Sequence, residues 1–190
     1  MCIRDRPIYA YGHPVLNKKT KPIESEYPDF EKLLEDMWET MYEAQGVGLA
    51  APQVGKSLRL FLVDTVQIMD EGKEDEGIKQ AFINAEKLEE GVEPWDYEEG
   101  CLSIPDIRAD VERPAQIKLR YQDENFKTHE KVFTGMNARV IQHEYDHVEG
   151  ILFTQHLRPL KKRLMKRRLE RIKTGKIDPN YRMKFHVKKR

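Results

Sequence analysis

At 190 residues, 39% of them hydrophobic and 35% charged, the chain is long enough to bury the core of one domain. No apolar run reaches the roughly 18 residues that span a bilayer, and no apolar h-region opens the chain, so neither a membrane protein nor an exported one is expected. The formal charge of zero hides an asymmetry: residues 1–157 carry 18 Lys and Arg against 31 Asp and Glu, and residues 158–190 carry 15 against two.

In chain order, Phe30, Leu33, Leu34, Met37, Trp38, Met41 and Tyr42 recur at helical spacing, which predicts an amphipathic helix with Asp29 as N-cap and Gly46 near its end. Residues 59–63 read as a buried strand, and 67–79, acidic and glycine-containing, as an exposed loop. Further strands are expected at 81–88, 95–99, 117–121 and 127–133. A helix opened by Thr134 or Gly135 should run to about Val148 and stop at Gly150. A last helix, about 159–173, should bury a stripe of Leu160, Leu164, Leu169 and Ile172, its many basic residues being suited to phosphate. Neither a repeat nor a linker divides the chain. The pattern is that of an α+β fold, with mixed or antiparallel β-sheets surrounding a central helix between an N-terminal amphipathic and a C-terminal basic one.

That central helix carries His143-Glu144-Tyr145-Asp146-His147, an H-E-x-x-H sequence. Positions i and i+4 share a helix face, so His143 and His147 can grip one metal ion, with Glu144 beside it to take a proton from water. The metzincin slot for a third histidine holds Phe153, and Glu170 sits among basic neighbours. Cys101, in a short non-helical segment ending at Pro105, offers a thiolate and is the better third ligand; three ligands leave an open fourth position, as catalytic sites require. Cys2 and Cys101 make no disulfide framework, and a metal-binding thiol suits the reducing cytoplasm. Gly46-x-Gly48-x-x-Ala51 also fits a dinucleotide fingerprint, but it follows a helix and precedes a strand, the reverse of what that motif needs.

Three blocks in order, Gly46-Val47-Gly48-Leu49-Ala50-Ala51-Pro52-Gln53, Glu99-Gly100-Cys101-Leu102-Ser103 and Gln142-His143-Glu144-Tyr145-Asp146-His147, resemble the motifs of the peptide deformylases, and the similarity runs from about Pro7 past Phe153. The resemblance implies a hydrolase that removes the formyl group from N-terminal formyl-methionine of nascent polypeptides. It implies Cys101, His143 and His147 as metal ligands, Glu144 as general base and acid, and the Gln53 amide with the Leu102 N–H as oxyanion donors. Gly46, Val47, Gly48, Leu49, Glu99, Gly100 and Val140 are its implied substrate-binding residues, with Tyr97 and Arg139 as weaker pocket candidates. The stem of Arg139 would line the pocket and its head reach water. Glu99 and Arg108 would pair in support of the Cys101 segment, and Asp146 would orient a ligand or hold backbone. Fe²⁺ is the implied working metal, with Zn²⁺, Ni²⁺ or Co²⁺ able to replace it. The basic tail would meet the ribosome; no DNA and no membrane partner is expected. Residues 7–157 then form the catalytic domain, 158–190 the basic helix and tail, and 1–6 a non-native or disordered leader. A zinc peptidase, or a silent ribosome- or RNA-binding relative, is the competing reading.

Overall fold

The computed structural model describes residues 6–91 and 93–186. Its largest sheet is antiparallel throughout and runs in the order β2 (Gly48–Ala50), β3 (Leu60–Asp64), β4 (Lys79–Glu90), β7 (Gln116–Gln122), β8 (Thr128–Thr134). Every residue of β3 is buried, because the strand has a core on each face. Leu60 and Leu62 point to one side, where α1 (Phe30–Glu43) lays Phe30, Leu33, Leu34, Met37 and Met41 over them. Phe61 and Val63 point to the other, under Ala138, Val140, Ile141 and Val148 of α2 (Gly135–Glu149). The polar side of α2 faces a two-stranded antiparallel hairpin, β5 (Pro94–Cys101) and β6 (Ile104–Pro114), so the H-E-x-x-H residues lie in a seam between sheet and hairpin. A third core under β6 takes Leu152, Phe153 and Leu157, and Leu169 and Ile172 of α3 (Pro159–Lys173).

Helix ends follow the chemistry of the sequence. Gly150 closes α2 at φ 77°, and a Cβ there would stand 2.8 Å from the Lys18 backbone, so both conformation and space require glycine. Asp29 precedes α1 as expected but sits in the left-handed region and makes no side-chain cap, because its φ of 55° turns the carboxylate away from the first-turn amides.

Four expectations need correction. The 11-residue β6 was not anticipated: prolines bracket it, and Asp106, at φ 60°, breaks its alternation of apolar and charged residues. Two short 3₁₀ turns, Val66–Ile68 and Glu74–Glu76, interrupt the acidic loop. In α3, Leu169 and Ile172 are buried, but Leu160 is 70% and Leu164 74% exposed, because the first turns of the helix run past the end of the third core. Of the leader, residues 1–5 lie outside the described residues; Arg6 is held, its amide donating to Thr40 Oγ1 at 2.8 Å and its guanidinium to Asp36 at 2.7 Å. Beyond α3 the chain returns to its start, where β9 (Met183–Lys184) pairs in parallel with β1 (Ile8–Tyr9).

Candidate active site

Cys101 ends β5, and the two-residue turn after it leads into β6, so its thiol faces α2 across the seam. His143 and His147 come from one face of α2, a turn apart. One donor atom from each of the three lies within 4.8 Å of the others, and Cys101 Sγ is 3.3 Å from His147 Nε2. Donors around a tetrahedral ion stand about 3.5 Å apart, given bonds of about 2.0–2.3 Å, so the set accepts one after a small contraction. No other cluster of this kind occurs among the described residues.

Glu99 holds one of these side chains in place. Its Oε2 accepts from His143 Nδ1 at 2.9 Å, which leaves His143 Nε2 to face the cluster. Arg113 grips the same carboxylate through Nε at 2.6 Å and Nη2 at 3.0 Å, and Arg139 adds a bond at 2.9 Å. Burial would raise the Glu99 pKa, but the bonds from His143 and Arg113 outweigh it and hold the carboxyl well below the usual carboxylate range. Arg113 Nη1 also donates to Asp146 Oδ2 at 2.8 Å, an oxygen shared with His156 at 2.7 Å.

Glu144 lies on the inner side of α2 against β2, with Oε2 buried and unpartnered. Burial pushes its carboxyl up to about 7, a value that a nearby cation would lower again. Gln53 is fixed by its own backbone turn: Oε1 accepts from the Ala50 amide at 2.8 Å, which aims Nε2 toward Cys101 Sγ (3.6 Å) and Ser103 Oγ (3.4 Å). These residues border a cleft of about 570 Å³, in the range that binds small ligands or peptide ends. Gly46, Val47 and Gly48 line one wall, Gly100 and Leu102 another, and Met136, Val140 and His143 the α2 side.

Most residues singled out in the sequence thus meet in one place, and the exceptions have physical causes. Leu49 points into the α1-side core and is fully buried, as strand alternation requires between Gly48 and Ala50. Arg108 lines the cleft beside Gly100, but the ion-pair partners of Glu99 are Arg113 and Arg139. Arg139 lines the cleft, as does Tyr97, but its head does not reach water: it is 2% exposed, bonds the carbonyls of Val111 (2.9 Å) and Trp95 (2.6 Å), and lies 4.5 Å from the Trp95 ring centroid. Asp146 bonds Arg113 and His156 and leaves His147 Nδ1 buried without a partner. Arg113 went unread in the sequence, although a charge in register with Ile107, Ala109 and Val111 on the buried face of a strand signals a fixed counter-charge. Tyr181 also lines the cleft, from beyond α3, and no sequence pattern marks it.

A family model described as polypeptide deformylase matches residues 5–163. The peptide deformylase of Cytophaga hutchinsonii is 53% identical over 183 residues, covering 96% of this chain and 98% of that protein. That of Christiangramia forsetii is 50% identical over 186 residues, covering 94% and 95%. Among solved structures, a peptide deformylase from Legionella pneumophila superposes with a TM-score of 0.77 at 34% identity, over 90% of this chain and 97% of the other. That from Thermotoga maritima gives 0.72 at 41%, over 82% and 99%.

Proposed function

The chain belongs to the polypeptide deformylase family, and on that premise we propose which of its residues carry out the reaction. The protein is a metal-dependent hydrolase that removes the formyl group from the N-terminal methionine of newly made polypeptides. Cys101, His143 and His147 hold the cation, which when bound supplies a Lewis acid and lowers the pKa of water at the site. Glu144 takes the proton of the water that attacks the formyl carbon, and returns it to the departing amine. The Gln53 amide and the Leu102 N–H face the oxygen as negative charge develops on it. Glu99 fixes His143, and Arg113 fixes Glu99. The backbone at Gly46 and Gly48 pairs with the extended substrate, whose methionine side chain enters between Val47 and Val140.

The observation that carries this reading is the convergence of three ligand atoms within 4.8 Å beside a buried carboxylate oxygen that has no other partner. Formate release from a formyl-Met tripeptide by anaerobically prepared protein tests it. Turnover that Glu144→Ala abolishes is expected; no turnover in folded, metal-loaded protein would refute it.

Fe²⁺ is the working metal in this proposal on the family resemblance; one thiolate with two imidazoles suits it and Zn²⁺ alike, and Ni²⁺ or Co²⁺ could take its place. Metal analysis of protein purified without oxygen decides between them. The H-E-x-x-H helix is taken as the centre of the fold, the cytoplasm as its compartment, and α3 as a ribosome contact. That last assignment is supported by Leu160 and Leu164, exposed among Arg163, Lys166 and Arg167, a mix suited to phosphate with apolar anchors.

A further inference from the structure

The family match ends at residue 163, yet the cleft has a wall residue at 181. After α3, a turn at Gly175 reverses the chain, and Phe185 packs over that turn, within 3.3 Å of where a Cβ on Gly175 would stand. Ile177, Met183 and Phe185 then pack against the third core. The returning segment is bonded on both sides of β9: Ile8 N–H donates to the Arg182 carbonyl at 2.8 Å, and Ala10 N–H to the Lys184 carbonyl at 3.0 Å. Tyr181 is therefore set at the base of a paired strand, and its hydroxyl donates to the Leu102 carbonyl at 2.7 Å.

The next carbonyl along, that of Ser103, accepts from Tyr11 N–H at 2.8 Å. Two consecutive carbonyls of the turn that follows Cys101 are thus pinned from outside, one by each end of the chain. The Leu102 N–H belongs to the Cys101–Leu102 peptide, which is flanked on one side by the Cys101 side chain, committed to the metal cluster, and on the other by the Leu102–Ser103 peptide, whose carbonyl is committed to Tyr181. With both neighbours fixed, that N–H has little freedom to swing. Burial, and then the nearby Cys101, raise the Tyr181 pKa above its ordinary value, so the phenol stays a donor at any working pH.

We propose that Tyr181 is a positioning residue for deformylation: its hydroxyl, held by the β1–β9 pairing, fixes the Leu102–Ser103 peptide and so restrains the adjoining Cys101–Leu102 peptide, which carries the oxyanion-donating N–H. The inference rests on the proposed role of Leu102. It gives the terminal segment a duty in the cleft, distinct from any contact made by α3.

The test is Tyr181→Phe in the full-length, metal-loaded protein, which keeps the ring and removes only the donor. Loss of a whole oxyanion donor costs about 10²–10³-fold in kcat, so loosening one should cost about tenfold. The expected result is that fall in kcat with KM within about twofold, unchanged metal content and melting temperature, and faster amide exchange confined to residues 101–104. Tyr181→Leu, which also removes the ring from the wall, should lose the same kcat and in addition raise KM. A Phe variant with kcat within twofold of wild type overturns the proposal, and so does a loss seen only in the Leu variant. A kcat loss that tracks lost metal or exchange protection lost throughout the molecule overturns it too. If the wild type itself releases no formate, the functional reading fails instead, and the exchange comparison alone decides whether Tyr181 holds the turn.

Discussion

Gly48 lies against the carboxylate assigned as general base, and the structure gives the distance at which that closeness becomes a clash. A Cβ built on Gly48 stands 2.5 Å from Glu144 Oε1 and 2.8 Å from its Cδ and Cγ. Ordinary contact needs about 3.5 Å, so in Gly48→Ala the carboxylate must retreat by about 1 Å. Glu144 is only 4% exposed and is closed in by β2 and the body of α2, so the retreat cannot be a swing into solvent. A displacement of that size at a reacting group costs about 10²-fold, and overpacking of one methyl costs about 1–3 kcal/mol of stability. Gly48→Ala should therefore keep its metal and fold while kcat for formate release falls about 100-fold. Gly46→Ala is the comparison: its Cβ would meet Leu102 Cδ1 at 2.7 Å, the far end of a flexible side chain that can yield, and Met41 Cγ and the Met41 carbonyl at 3.3 Å, too close by only a few tenths of an ångström, so a loss below about tenfold is expected. Formate release at saturating substrate, with a melt and a metal assay for each variant, makes the comparison. A Gly48→Ala enzyme within threefold of wild type would show that Glu144 is not held to an ångström, and the argument from close packing would fall.

Glu99→Gln removes the charge that offsets Arg113 and Arg139, 5% and 2% exposed, and weakens the hold on His143. Metal affinity should fall about 10–100-fold, and stability by about 3–5 kcal/mol in chemical denaturation; retention of both would refute the clamp. Despite partial burial, the bonds from Lys32 and Arg6 hold the Asp36 carboxyl below its ordinary pKa. Its stability contribution is present above the unfolded-state value of about 3.9 and is lost as pH falls through the lower folded value. The melting-temperature gap between wild type and Asp36→Asn should thus be widest near neutrality and close on acidification; a gap that grows in acid contradicts the pairing. Charge reversal at Arg163, Lys166 and Arg167, all exposed on α3, should weaken ribosome co-sedimentation and flatten its salt dependence while formate release is unaffected. Unchanged sedimentation would remove α3 from consideration.

What the sequence made legible was local. The spacing of His143 and His147, the apolar period of α1 and the glycine after α2 each act within a few residues, and the structure places all three as that logic requires. What it hid depends on pairing across the chain. Arg113, 14 positions from Glu99, becomes its partner only because β5 and β6 fold back as a hairpin, which also carries Arg108, the partner expected, to the cleft wall. Arg139 does line the cleft, but its head read as solvated, because a lone arginine gives no sign that a carboxylate and two backbone carbonyls wait inside. Tyr181 reaches the site through β9, a strand of two residues with no periodicity to detect.

The same pairing explains how so many charges share one buried seam. Glu99 and Asp146 face Arg113 and Arg139, two anions against two cations, and hydrogen bonds tie the four together. That set is neutral, so it can be buried beside the ligands. Burial would lower the His143 pKa, but its contacts with Cys101 and Glu99 raise it well above the ordinary value, while burial and then His143 hold that of His147 well below. In the proposed site the ligand set would be balanced separately: with a divalent cation bound, a Cys101 thiolate and the Glu144 carboxylate would offset its two charges. Had the seam kept only one arginine, the surplus negative charge would favour the imidazolium form of His143 further, and protons would compete more strongly with metal for its nitrogen. The buried Arg139 thus has a reason to turn inward: its guanidinium completes the charge balance around the carboxylate that holds His143 in place.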